Sequence, residues 1–266
     1  MDPLEYLDVA RQAAQKAGAL LAEKLGKVSV REKHPADLVT EADEASQKMI
    51  EEILLTAYPD HAFIGEEAIG NHLSEQECGK NAPADRPFTW IVDPLDGTTN
   101  FVHQVPHFGP SIALARGSEL ICGVVYNPIT KECFTAAKGK GAWLNDRPIR
   151  VSQVQTSEKA LISFSFPTTV NDQAPDMITF IKLAPHVQAM RRTGSTALNL
   201  AYIASGRFDA QYNHATHAWD VAAGVLLVQE AGGVITGSTG KPFDLSSPPF
   251  LAAATPELHK NMLKYL

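Results

Sequence analysis

The sequence is short of clustered positive charge. Its 266 residues hold 23 Lys and Arg against 30 Asp and Glu, a formal net charge of −7. The longest basic clusters are pairs such as Arg191-Arg192. A nucleic-acid binder would show a basic patch or stripe, so no nucleic-acid partner is expected. Cysteine is also scarce: Cys78, Cys122 and Cys133, an odd number with no C-x-x-C spacing. That argues against a disulfide framework or a structural zinc site, and for a reducing compartment. There is no apolar run of about 18 residues, so no membrane span is expected. The N-terminus carries acids from its second residue and lacks the basic start and apolar stretch of a signal peptide. A cytoplasmic location follows as the expectation. Internal repeats, low-complexity tracts and an obvious linker are missing as well.

What is present is ordinary globular composition, 44% hydrophobic, with enough length for a sizeable core. Leu4, Leu7, Ala10, Ala14, Ala17, Leu21 and Leu25 are spaced for one buried helix face over 4–25. Val28 and Val30 suggest a short strand. Thr40 and Asp43 resemble a capping box with a shorter acid, opening a helix that Pro59 ends after Tyr58. A strand over 61–65 runs into 65-GEE-67, and 68–87 reads as a polar surface loop, the best candidate for mobility. Residues 89–93 form a strand, and 111–144 an antiparallel meander with turns at Gly117, Asn127-Pro128 and Gly139–Gly141. After about 155, strands and helices alternate as in an α/β half. The expected organisation is an N-terminal α+β half, 1–150, and a C-terminal α/β half, 151–266. They are joined as one compact unit with a cleft at the junction, where ligands commonly bind.

The chemistry concentrates in 90-WIVDPLDGTTNF-101. Asp93 follows a buried-strand pattern, Pro94 is expected to stop the ladder because it has no N–H, and Gly97 permits a turn. Thr98 to Phe101 can open a short helix. Such a turn points Asp93, Asp96 and the Leu95 carbonyl into one space. Close carboxylates raise each other's pKa unless a cation neutralises them, and hard divalent cations take oxygen ligands of this kind. D-P-x-D-G is equally good turn chemistry. Glu66-Glu67 alone would read as a solvated loop, and Asp220 in 219-WDVAAG-224 as a helix cap. All these acids, however, stand at the end of an apolar element near a turn, where α/β proteins assemble sites.

The set 65-GEE-67, 93-DPLDGTTNF-101 and 219-WDVAAG-224, with 38-LVTEAD-43 and 191-RRTGSTALNLAYIASGRFDA-210, resembles the inositol monophosphatase family. That family belongs to the lithium-sensitive, magnesium-dependent phosphatases, and the resemblance runs from residue 4 to about 256. It implies an α+β fold, the layered αβαβα sandwich, and a homodimer. It implies a Mg²⁺-dependent phosphate monoester hydrolase acting through metal-activated water on a small phosphorylated substrate, with two to three Mg²⁺. One ion would take Glu66, Asp93 and the Leu95 carbonyl; a second, Asp93, Asp96 and Asp220; a third, weaker one would lean on the same Glu and on water. Glu67 would assist indirectly. Thr98 and Asp43 match the pair that orients the attacking water. The backbone N–H groups of Gly97 and Thr98, at a helix N-terminus, are expected to receive phosphate oxygens.

One position departs from the pattern. Many family members carry Glu seven residues before the W-D aspartate, where it contacts inositol hydroxyls; here it is Asn213. Asn keeps hydrogen-bonding capacity but brings no charge. Phosphatase is therefore a firmer expectation than inositol, and a nucleotide 3′-phosphate, a sugar bisphosphate or histidinol phosphate are alternative substrates. A non-catalytic regulatory protein is the reading from another class; a lost ligand would be its sign, and none is lost. His103, His107, His214 and His217 are expected to be packed or rim residues. Arg191-Arg192 reads equally as a dimer contact or a solvated strand end.

Overall fold

The computed structural model describes residues 2–34, 37–67, 87–166, 171–214, 216–246 and 249–266, with the backbone alone at 30, 32–34, 37 and 38. The expected surface loop, residue 87 apart, lies outside the described residues.

Helix α1 (Pro3–Lys24) starts on Asp2, whose carboxylate accepts the Leu4 N–H at 3.2 Å, with Pro3 in the first turn. Its buried face is Leu7, Ala10, Ala14, Ala17 and Leu21 as spaced, joined by Tyr6 and Ala13. Leu4, in the first turn, is instead exposed. Strand β1 (Val30–His34) begins at Val30 and pairs antiparallel with β2 (Asp37–Thr40), a strand the sequence pattern did not suggest. Helix α2 (Glu41–Ala57) follows, with the Thr40–Asp43 capping box in place.

A seven-stranded sheet comes next: β3 (Ala62–Gly65), β4 (Phe88–Asp96), β5 (Gly109–Arg116), β6 (Glu119–Asn127), β7 (Glu132–Ala137), β8 (Gly141–Leu144) and β9 (Arg147–Pro148), in spatial as in chain order. Only β3 and β4 are parallel; the rest is the expected meander. The five-stranded sheet has the order β11-β10-β12-β14-β13, from β10 (Leu161–Phe164), β11 (Ala189–Arg191), β12 (Ala210–Asn213), β13 (Val234–Gly237) and β14 (Phe250–Ala253). This sheet is mixed and so only partly α/β in character. Strand β10 is parallel to β11 and β12, while β14 is antiparallel to β12 and β13. The remaining helices are α3 (Thr98–Val102), α4 (Pro175–Leu183), α5 (Thr196–Ala204), α6 (Ala218–Glu230) and α7 (Pro256–Met262).

The side-chain period of two builds the layers. Trp90, Val92, Ile112 and Leu114 face α1 and α2, while Ile91, Ala113 and Ala115 face α5 and α6 on the other side. From the second sheet, Phe250 and Ala252 face α5 and α6, while Ile162, Tyr212 and Leu251 share a core with Leu183 of α4 and Leu258 and Met262 of α7. The order is therefore helix, sheet, helix, sheet, helix. Helices α5 and α6 lie in the middle, which explains why both are apolar nearly all round. Each fully buried Val or Leu there stabilises the fold by about 1.5–3 kcal/mol.

Candidate active site at the end of β4

Strand β4 does not stop at Pro94. Its pairing with β5 runs from Phe88↔Arg116 to Asp93↔Ser111 and resumes at Asp96↔Gly109, taking up one extra residue. Pro94 lies inside that bulge, where its missing N–H costs no ladder bond. The expected end at Asp93 is thus corrected: the bulge continues the strand and re-aims both carboxylates.

Asp93 is 2% exposed, and its Oδ1 accepts the Leu95 N–H at 2.9 Å. Burial holds its carboxyl well above the usual carboxylate range, and the nearby charges of Glu66, Asp96 and Asp220 push the same way. Asp96 is also buried. Burial lifts it from the usual 3.8 to about 7, against the pull of a Ser195 hydroxyl bond and the Thr196 and Ala197 N–H groups, and with a further push from Asp220. Ser195 Oγ and the Ala197 N–H both donate to Asp96 Oδ2, the latter at 2.7 Å, and the Thr196 N–H to Oδ1 at 3.2 Å. Asp96 is therefore held against the first turn of α5.

The other acids arrive from other elements. Glu66 leaves β3 beside β4, its N–H donating to the Val92 carbonyl at 3.1 Å. Gln47 fixes the next residue from both sides: its Oε1 accepts the Glu67 N–H at 2.9 Å and its Nε2 donates to the Glu67 carbonyl at 2.7 Å. Asp220 stands in the first turn of α6, where its Oδ2 accepts the Thr216 hydroxyl at 2.8 Å and the His217 N–H at 2.9 Å. It is a capping residue and also part of the charge cluster acting on Asp93 and Asp96.

Asp43, Ser46 and Gln47 share the buried face of α2 at i, i+3 and i+4. Asp43 Oδ2 accepts the Thr40 N–H at 2.9 Å and the Thr40 hydroxyl at 2.6 Å, which leaves Oδ1 to the Thr98 hydroxyl at 3.1 Å. Burial raises its pKa, partly offset by these bonds. The Thr98 hydroxyl also lies 3.2 Å from the Leu95 carbonyl, and Ser46 Oγ donates to the Pro94 carbonyl at 2.7 Å.

Gly97 has φ 95°, in the left-handed region, and a Cβ there would meet the His107 carbonyl at 3.0 Å. Gly194, at φ 90°, would bring a Cβ to 2.8 Å from Asn100 Nδ2. That amide donates to the His107 carbonyl at 2.7 Å and the Thr193 carbonyl at 2.8 Å, tying the start of α3 to the 193–197 turn. The first α3 bond runs from the Phe101 N–H to the Gly97 carbonyl, so the preceding N–H groups stand outside the helix ladder. With only five residues, α3 has little macrodipole to add. Beside it opens a cavity of about 420 Å³ whose wall includes Thr99, Ser165, Thr193 and Thr196.

Asn213 is less simply placed. It is buried at the end of β12, its Oδ1 accepts from Gln211 Nε2 at 3.0 Å, and it does not line this cavity. Of the histidines, His103, His214 and His217 are exposed at the rim. His107 is half-buried, its pKa lowered chiefly by desolvation, with its ring edge-on to Tyr202. His217 stacks on Trp219, and the His214 N–H bonds Asp176. Ser46, Gln47, Asn100 and Ser195 were missed by sequence reasoning. Ser195 alone left a cap signal, G-S-T before an apolar run.

The donor set suits a hard divalent cation. Buried carboxylates that raise one another, together with a carbonyl, are oxygen ligands waiting for positive charge. Among the described residues, no three His, Cys, Asp or Glu side chains converge into a closed metal cluster. The donors instead ring the bulge, each tethered to its own element.

Comparison with known proteins agrees with this arrangement. The model of the inositol monophosphatase family matches residues 2–266. The chain belongs to the inositol monophosphatase family. A relative from Pseudomonas aeruginosa, named Nus factor SuhB, is 43% identical over 246 residues, covering 90% of this chain and 87% of the relative. An inositol-1-monophosphatase from Rhizobium meliloti is 42% identical, covering 91% and 89%. The structure of an inositol monophosphatase from Anabaena (Nostoc) superposes with a TM-score of 0.83 at 36% identity, over 98% of this chain and 95% of that one. The layered fold is therefore that of the family.

Proposed function

We propose that this member of the family hydrolyses a small phosphate monoester with Mg²⁺, inositol 1-phosphate being the first substrate to test. The observation that carries the reading is Asp93: buried, and acted on by three further acids. Glu66, Asp93, the Leu95 carbonyl, Asp96 and Asp220 would hold two to three Mg²⁺. When bound, the ions supply a polarised phosphoryl oxygen and a water of lowered pKa.

The chain's own groups do the rest. Thr40 fixes one Asp43 oxygen, so the other accepts from Thr98 and turns the lone pairs of Thr98 Oγ1 toward the attacking water. The water's proton passes through Thr98 Oγ1 to Asp43, whose raised pKa suits it as acceptor. The N–H groups of Gly97 and Thr98 receive phosphate oxygens, and Asn100 holds the turn that carries them. Water is consumed, the alcohol leaves and inorganic phosphate is released.

Asn213 is proposed as a polyol contact that replaces a charged one, provided its amide turns from Gln211. Lithium inhibition, a homodimer and a cytoplasmic location belong to the same reading. The buried free thiols of Cys122 and Cys133 support a reducing compartment, and among the described residues no helix is long and apolar enough to cross a membrane. The Nus factor name of one relative favours a second, regulatory role, but it describes that protein. The intact acid set favours catalysis here.

The test is phosphate release, with and without Mg²⁺, from inositol 1-phosphate, glycerol 2-phosphate, fructose 1,6-bisphosphate, histidinol phosphate and 3′-phosphoadenosine 5′-phosphate. Mg²⁺-dependent release supports the reading. A folded protein that binds Mg²⁺ and releases none supports the regulatory one.

A further inference from the structure

Arg192 has a different situation from its neighbour. The Arg191 guanidinium donates to the Met190 carbonyl at 2.8 Å. That of Arg192 makes no ion pair with any described acid and lies 5.5 Å from the centroid of the Phe166 ring. Arg192 and Phe166 both line the cavity of about 420 Å³ beside α3, and Arg192 is the one charged side chain among the described residues of its wall. Stacking on an aromatic face narrows the rotamers of a guanidinium while leaving its forked N–H groups free. The wall also offers the Ser165 and Thr196 hydroxyls, 3.0 Å apart.

The cavity adjoins the acid cluster through one residue. Thr196 lines it, and the N–H of the same Thr196 donates to Asp96. A substrate whose reacting phosphate sits at the acids therefore extends its remainder toward Arg192. A lone polyol offers no charge to a guanidinium at the cavity wall, whereas a second phosphate takes its fork in a bidentate pair. The volume suits a phosphorylated sugar or nucleoside.

We propose that Arg192 binds a second phosphate of the substrate, so that this site prefers a bisphosphate over a compound with a single phosphate. The inference rests on the phosphatase reading and names the substrate class within it. Arg192 is exposed, so replacing it leaves the core untouched.

The experiment compares wild type, Arg192→Ala and Arg192→Lys, all with Mg²⁺, on glycerol 2-phosphate, fructose 1,6-bisphosphate and 3′-phosphoadenosine 5′-phosphate. Expected is a wild-type preference for one bisphosphate, and a ratio of its kcat/KM to that of glycerol 2-phosphate that drops at least about tenfold in Arg192→Ala. The change should lie mostly in KM, with partial recovery in Arg192→Lys. An unmoved ratio, an equal fall on all substrates, or no wild-type preference for a bisphosphate overturns the proposal while leaving the phosphatase standing. Wild type that releases phosphate from none of them removes both.

Discussion

The two ends of helix α6 carry one carboxylate each, and they live differently. At the last residue, Glu230 accepts the Gly139 N–H through Oε1 and the Gly141 N–H through Oε2, both at 2.8 Å. An acid at a helix C-terminus is poorly placed against the macrodipole, and two neutral donors offset that. At the first turn, Asp220 adds a negative charge to Asp93 and Asp96. The cavities differ in the same sense. The one beside Glu230 is larger, about 650 Å³, yet Lys138 on its wall is ion-paired with Glu119. The smaller cavity near the acids holds an arginine with no acid partner among the described residues. Among the described residues, crowded acids rather than cavity volume distinguish the end proposed as the site.

The largest expected effect is at the end where the acids crowd. Asp93→Asn should lower Mg²⁺-dependent turnover on the order of 10³-fold or more and leave the circular dichroism spectrum unchanged; near-normal turnover at saturating Mg²⁺ would contradict the assignment. Next comes Thr98→Ala, which removes the hydroxyl bonded to Asp43 and proposed to face the attacking water. A drop in kcat of roughly 10²-fold is expected, with the Mg²⁺ concentration for half-activity little changed. Gln47→Ala touches no substrate but strips both backbone partners from Glu67. It should cost about 1–3 kcal/mol of stability in urea unfolding and raise the Mg²⁺ requirement, because Glu66 loses its fixed neighbour. The smallest effect sharpens the contrast from the other end. Glu230→Gln gives up one acceptor and should cost about 1 kcal/mol, with kcat and KM as in wild type.

Much of this site was legible because its acids follow apolar runs and precede turns, a local pattern. The helix over α1 and the cap at Thr40–Asp43 were legible for the same reason. What escaped is set by distant partners. Pro94 looked like a strand end, and only the register with β5 reveals a bulge there. Gln47 and Ser46 read as ordinary polar residues of an amphipathic helix until β3 and β4 are laid against them. Asn100 was seen as part of a motif, yet its amide spans to Thr193, far along the chain. Strand β2 is short and, among the described residues, pairs only with β1, so no periodicity announced it. Asn213 was read by position alone, while its burial against Gln211 depends on β12 pairing into the second sheet.

The central claim is that the buried acids are balanced by a divalent cation, and thermal unfolding tests it most directly. Asp96, raised from 3.8 to about 7, and Asp93, raised chiefly by burial, bind protons in the folded state that the unfolded chain has already lost. Without a cation their stabilising share is therefore lost as pH rises through that window. His61, His107 and His259 are lowered by burial and act in the opposite direction below their usual 6.5. The difference in Tm between Mg²⁺ and EDTA isolates the acids from these histidines. It should be small near about pH 5, where Mg²⁺ must displace protons, and grow through about 7 toward about 8. In Asp93→Asn the rise should largely disappear. A Mg²⁺-induced shift that is absent at about pH 8, or that is the same at both ends of the range, would contradict the account.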